Sequence, residues 1–322
     1  MENLLDFLDG KGSEHRGTSY MAKNLIDNIL PYTKNIQKTN FILIPFFSMP
    51  NIQQARSSTN IIWCHVPAHN MPSDLLFFLD DEDIKKNTIA YVVQSKFHKE
   101  NLVENFNLDS EKVFILNNAF NPIEGKIQKN KKNISFIYTS QESRGIDILL
   151  ECFKNIKDKN IELIVHVCSC DECKEKMNVL NIYDPRISFV GYVPKDEYGD
   201  NLKRSHIYAY PCRFEETACI GVMEAMSAGL RIITTDLGAL PDTTGGFAKI
   251  ITGMPVDNEF FKGKEKEELI KKFTKEMKKA IKEARRGKFN FDQQKEYVDN
   301  RFTWEKTKQQ WIEFDKIIGE KL

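Results

Sequence analysis

The feature that most constrains this chain is the alternation of short apolar runs with longer amphipathic segments, repeated along two separate stretches. In the first stretch, Leu4 to Leu8, Phe41 to Phe47, Ile61 to His65, Ile89 to Gln94 and Val113 to Leu116 each have the length of a strand. Between the first two, Ala22, Leu25, Ile26 and Ile29 recur at three- and four-residue steps. That spacing predicts an amphipathic helix from Ser19 to Leu30, entered through a glycine-lined turn at Gly10, Gly12 and Gly17. Strands alternating with helices imply a parallel sheet, because each parallel connection must cross back over the sheet. Residues 123–133 are polar, rich in Lys, Asn and Gln, and have the composition of a linker. The pattern then resumes with strands at Ile134 to Tyr138, Ile161 to Cys168, Ile187 to Val190, Ile207 to Tyr210 and Arg231 to Thr234, and helices at Ile146 to Ile156 and Thr217 to Ala228. Two similar α/β halves are expected, over 1–122 and 134–300, and 322 residues at 41% apolar content suffice for two cores.

Lys+Arg and Asp+Glu balance at 46 each, so no global field draws nucleic acid or an anionic membrane, and a small or neutral partner fits better. The start of the chain lacks a basic segment followed by a long apolar one, and Phe41 to Phe47 is far shorter than the ~20 residues of a membrane span. Seven cysteines spread over a long chain point to reduced thiols and a cytoplasmic protein. His166, Cys168, Cys170 and Cys173 offer soft metal ligands, but no second knuckle accompanies them, and buried strand-end thiols are the plainer reading. Lys262 to Lys288 is strongly basic around an apolar stripe of Leu269, Ile270, Phe273, Met277 and Ile281. A solvated outer helix explains it, and weak peripheral contact with anionic lipid is the alternative.

The chemistry concentrates between Pro211 and Gly229, where a strand gives way to a turn and a helix and two carboxylates, Glu216 and Glu224, lie eight residues apart. At about 1.5 Å per residue, that spacing is ~12 Å along a helix, about the reach from the sugar to the ribose of a nucleotide-sugar. The backbone N–H groups of Ala218, Cys219 and Ile220 are expected in the first helical turn, where unpaired donors and the helix dipole favour a diphosphate. Glu224 has no Lys or Arg three or four residues away. The plainer readings make Glu216 an N-cap and pair Glu224 with a distant base.

This stretch resembles the Glu-x7-Glu signature of family 4 of the retaining glycosyltransferases, usually met as E-G-F-G-x3-x-E-A-M-A-x-G. The segment from Phe136 through Ser140, Arg144 and Gly145 to Leu150 is similar to the family's strand, phosphate-contacting loop and K-G-x-x-x-L-L helix. Phe189 to Pro194, with Tyr192, resembles the loop that packs on the nucleotide base. Val113 to Pro122 resembles the interdomain x-P-N-G-x-D segment, and Tyr91 to His98 the segment before it. Thr139-Ser140 stands near the place of the family's G-R-L arginine, Arg144 replaces its lysine, Thr217, Ala218 and Cys219 replace the E-G-F-G glycines, and Ala119 the N-G glycine.

The resemblance implies a GT-B fold: two Rossmann-like α/β domains facing across a cleft, with a closing segment, 301–322, packing back toward the first domain. It further implies a retaining, metal-independent transferase that moves a hexose from a nucleotide-sugar, a UDP-sugar ahead of a GDP-sugar, to a glycan or other hydroxyl acceptor. No cofactor is required. Arg144, the helix start and the Ser140 hydroxyl would meet the departing phosphate without a metal. Glu216 would orient the sugar, Glu224 the ribose, and His65, at the end of a first-domain strand, would face the donor sugar; the alternative for His65 is a structural histidine. Thr217, Ala218, Cys219 and Ile220 would line the donor, and Gly12 and Gly17 form the N-terminal glycine turn. Asp81-Glu82-Asp83 formally matches a D-x-D metal motif but lies in a charged run that reads as a helix start. A nucleotide-sugar epimerase and a catalytically silent nucleotide-sugar-binding subunit are the rival functions.

Overall fold

The computed structural model describes residues 17–45, 50–125, 129–166, 183–191, 193–255, 263–289 and 291–322. The Leu4 to Leu8 strand, Gly10, Gly12, Tyr192, Cys168, Cys170 and Cys173 lie outside the described residues. The chain divides into two compact units, the first comprising Met1–Phe120 with Arg301–Leu322 and the second Asn121–Asn300.

In the first unit, α1 (Gly17–Asn28) leads to β1 (Asn40–Ile44), α2 (Ile52–Ser57), β2 (Asn60–Cys64), α3 (Ser73–Asp80), α4 (Glu82–Asn87), β3 (Thr88–Val93), α5 (Lys96–Phe106) and β4 (Val113–Ile115). Gly17 is therefore the first helical residue. The four described strands pair in parallel in the order β1-β2-β3-β4. Every residue of β2 is buried, which fits a strand covered on both faces. Asp81 is the N-cap of α4, accepting from the Ile84 amide at 3.1 Å, and it pairs with Arg56 at 2.5 Å. One of the two aspartates of the D-x-D run thus caps a helix. The last residues of the chain complete this unit. Trp311, on α12 (Trp304–Lys321; α11, Asp292–Phe302, precedes it), packs edge-on against Trp63 at 5.3 Å. The Asp315 carboxylate accepts from the amides of Lys34, Asn35 and Ile36 at 3.1, 2.8 and 2.8 Å.

The second unit runs through β5 (Ile134–Tyr138), α6 (Ile146–Lys154), β6 (Ile161–Val165), β7 (Ile187–Phe189), α7 (Lys195–Arg204), β8 (Ile207–Tyr210), α8 (Ile220–Ser227), β9 (Arg231–Thr235), α9 (Leu240–Thr244), β10 (Lys249–Ile251) and α10 (Lys264–Arg285). All pairs are parallel, in the order β10-β9-β8-β5-β6-β7. From β5 the chain lays β6 and β7 on one side, then returns to lay β8, β9 and β10 on the other. The order reverses between β5 and β8, and in such sheets ligands bind beyond the carboxyl ends of the strands at the reversal.

The apolar stripe of α10 is turned inward: Leu269, Ile270, Phe273, Met277 and Ile281 are all buried. The helix lies on α6, where Lys266 pairs with Glu151 at 2.6 Å. The apolar face thus serves the unit's own core, as a solvated outer helix requires. Among the described residues no helix is long and apolar enough to cross a membrane.

Candidate functional site

The carboxyl ends of β5 and β8 bring Ser140, Arg144, Glu216 and Tyr210 together. The Tyr210 hydroxyl donates to Glu216 Oε1 at 2.5 Å, and an Arg144 guanidinium nitrogen donates to the same oxygen at 2.7 Å. Because the single phenol proton of Tyr210 goes to Glu216, the Ser140 hydroxyl, 3.1 Å away, must donate to Tyr210. Glu216 is 6% exposed, and its backbone is fixed as well, its carbonyl accepting from the Ala239 amide at 2.7 Å. The guanidinium lies 4.0 Å over the Phe214 ring. Burial works against its charge, and Glu216 more than offsets this, holding Arg144 above its ordinary value. The sequence expectation had Arg144 facing phosphate and Glu216 facing sugar; in the structure the two are ion-paired. That bond uses one of five guanidinium N–H donors.

Glu224 is half-buried on α8, and its Oε2 accepts from the Tyr198 hydroxyl at 2.8 Å. Burial raises its carboxyl to about 7, against the opposing influence of Tyr198 and Lys195. A phenol thus supplies its hydrogen bond, and the charge of Lys195, on α7, acts on it as well.

The start of α8 corrects a sequence expectation. The helix begins at Ile220, so Ala218 and Cys219 precede its first turn and the ~12 Å helical rise does not span Glu216 to Glu224. Cys219 is the N-cap, at φ 63° and ψ 76°, a left-handed conformation that breaks the helix there. Its carbonyl accepts from Val222 and Met223, leaving the amides of Ile220 and Gly221 as the orphan donors of the turn. Gly221 lets that turn lie close to its neighbours: a Cβ there would lie 2.9 Å from Thr139 Oγ1 and 3.0 Å from the Tyr208 hydroxyl, two groups bonded to each other at 3.1 Å. Thr217 and Ala218 are buried, Thr243 donating to the Ala218 carbonyl at 2.7 Å, and Ile220 is half-buried.

Cys219 stands where the motif it resembles has glycine, and its backbone is strained by about 1–2 kcal/mol. Cys219→Gly is expected to raise stability by up to about 1 kcal/mol, after the added freedom of the unfolded chain is subtracted. Cys219→Ala retains the strain and gains nothing. Urea midpoints of the two variants check this, and an alanine variant as stable as the glycine one would contradict it.

His65 directly follows β2 in the first unit, its ring 4.4 Å from Trp63 and its Nε2 buried without a hydrogen-bond partner. Burial, with His98 nearby, lowers it to about 3, so the ring is neutral at ordinary pH. His166, considered above as a metal ligand, has both ring nitrogens engaged: Asn201 donates to Nε2 at 3.1 Å, and Nδ1 donates to the Gly191 carbonyl at 3.2 Å. Among the described residues no group of three or more His, Cys, Asp or Glu is placed to hold a metal. Sequence reasoning missed Tyr198, Tyr208 and Tyr210. The signal for the last two was a pair of hydroxyls ending an otherwise apolar strand.

Two parallel α/β units, the second with paired glutamates beyond its strand reversal, make this a GT-B glycosyltransferase fold. Residues 131–275 match the family described as Glycosyl transferases group 1. Curated relatives include the phosphatidylinositol N-acetylglucosaminyltransferase gpi3 subunit of Schizosaccharomyces pombe, 28% identical over 153 residues, and a phosphatidylinositol N-acetylglucosaminyltransferase subunit of Arabidopsis thaliana, 27% identical over 157. Each match covers 45% of this chain and 33% and 34%, respectively, of the relative, so the chain matches about a third of the length of each. Among solved structures, a glycosyltransferase from Rickettsia africae superposes with a TM-score of 0.66 at 15% identity, over 97% of this chain and 96% of its own. The lipopolysaccharide outer core galactosyltransferase WaaB gives 0.62 at 14%, over 95% and 80%. At these identities the likeness is one of fold.

Proposed function

We propose that this chain is a retaining, metal-independent glycosyltransferase whose second unit holds a nucleotide-sugar donor. The observation that carries the reading is the gathering of Arg144, Ser140 and Glu216 beyond the carboxyl ends of β5 and β8, at the reversal of strand order, with Glu224 on the helix that follows. Glycosyl transfer needs charge stabilisation on a departing diphosphate. The remaining Arg144 donors and the orphan amides of Ile220 and Gly221 supply it, with donors fixed before the reaction begins. Glu216 accepts from sugar hydroxyls and Glu224 from the ribose. No metal, cofactor or nucleic acid enters this scheme. The acceptor is a glycan or other hydroxyl. The names of the curated relatives make N-acetylglucosamine, carried on a nucleotide, and phosphatidylinositol the first sugar and acceptor to try, and the word subunit in those names suggests protein partners.

The experiment is nucleoside diphosphate release from UDP- and GDP-sugars in excess EDTA, with product configuration read by NMR. Release in EDTA with retention is expected. Turnover lost in EDTA and restored by Mg2+ or Mn2+ would overturn metal independence. Interconversion of free nucleotide-sugars without acceptor would make the chain an epimerase, and donor binding with no release under any condition a silent subunit.

A further inference from the structure

We propose that Tyr198 is a positioning residue of the donor site, holding Glu224 by one carboxylate oxygen so that the other faces a vicinal diol of the ligand. The inference rests on the reading of Glu224 as the ribose acceptor and deepens it. A carboxylate on a half-buried helical side chain has two competent oxygens and free rotation about its last bond, whereas a bidentate grip on a diol needs one fixed orientation. Tyr198 supplies that restraint through its 2.8 Å bond to Glu224 Oε2.

The phenol is itself held in place. Tyr198 and Asn201 lie three residues apart on α7 and so share a face. Asn201 is buried and bonded to His166, and the His166 ring meets Tyr198 edge-on at 5.5 Å. The charges of α7 suit its dipole, with Asp196 and Glu197 in the first turn and Lys203 and Arg204 in the last. From the end of β6 through α7 to α8, a chain of contacts therefore fixes where the Tyr198 oxygen sits. The titratable groups facing Glu224 are Tyr198 and Lys195 from α7 and Tyr208 from β8. Burial, then the Glu224 charge, holds the Tyr198 phenol well above its ordinary value, so it remains a donor throughout the working range.

The hydrogen bond also favours the ionised form of the carboxylate. Burial raises Glu224 to about 7 and the Tyr198 bond opposes that rise, so removing the bond moves the carboxyl further up. Ribose-dependent binding should strengthen as pH rises through that value, and its midpoint should move to higher pH when the phenol oxygen is lost.

The test is calorimetric binding of UDP and of 2′,3′-dideoxy-UDP to the full chain, for the wild type, Tyr198→Phe and Glu224→Gln, between pH 6 and 9; GDP and its dideoxy analogue are run in parallel. For Tyr198→Phe the expected result is a loss of about tenfold in affinity for the ribonucleotide, little change for the dideoxy analogue, and an upward move of the pH midpoint. Equal loss for both nucleotides would mean that Tyr198 acts only by packing, and unchanged or tighter ribonucleotide binding with an unmoved midpoint would mean that it does not orient Glu224. Either overturns the inference. If Glu224→Gln also leaves the preference for ribose intact, the reading of Glu224 fails; if Glu224→Gln abolishes that preference and Tyr198→Phe does not, only the role of Tyr198 fails.

Discussion

Arg144→Ala is expected to lower the stability of the second unit by ~3 kcal/mol, because it strands the Glu216 carboxylate, whose side chain is 8% exposed, without its cation. The Tyr210 hydroxyl stays bonded to Glu216 but carries no charge to neutralise it. The loss belongs to an uncompensated buried charge more than to the intrinsic strength of the pair, and this gives the prediction a second arm. Glu216→Gln in the same chain removes the stranded charge and should recover most of the loss. Calorimetric unfolding of the single and double variants measures both. Arg144→Lys keeps the charge but gives up the planar fork and the contact over Phe214, so it should fall between alanine and wild type. A single alanine variant as stable as the wild type would show that the pair is not buried as described.

Gly145→Ala is the second large effect. Gly145 caps α6 at φ 115°, where side-chain-bearing residues are strained, and an added Cβ would lie 2.0 Å from the Pro211 carbonyl oxygen and 2.9 Å from its carbon. The obstruction is main chain on the far side of the site, and it cannot rotate away as a side chain would. Backbone strain of ~1–3 kcal/mol and overpacking of a similar size add to roughly 4 kcal/mol. In a unit of this size that is a fall of about 10 °C in Tm. Because Gly145 follows Arg144 directly, the same change should move the guanidinium from Glu216. Thermal unfolding decides, and a Tm within about 1 °C of wild type would mean that the loop relaxes freely.

The strands at this site were legible because β5 and β8 are short apolar runs buried along their whole length, a pattern that only a sheet covered on both faces requires. The start of α8 was not. Nothing in Thr217-Ala218-Cys219 marks a break, and only the left-handed backbone of Cys219 shows why the helix waits until Ile220. The pairing of Arg144 with Glu216 was equally hidden, since the two lie 72 residues apart and meet only because the chain leaves β5 for β6 and β7 before returning to β8. Each appeared in sequence as a separate charge with a separate task. Tyr198 gave no signal, because its partner, Glu224, lies on another helix 26 residues further on.

Whether the Arg144–Glu216 pair is a catalytic centre or only a structural bridge is decided most directly by the rate of nucleoside diphosphate release by the Arg144→Ala/Glu216→Gln double variant, once unfolding shows that it is folded. A catalytic centre predicts a rate ~10²–10³-fold below wild type in a protein of nearly restored stability. Near-normal turnover in the folded double variant would contradict it and leave the pair a structural bridge.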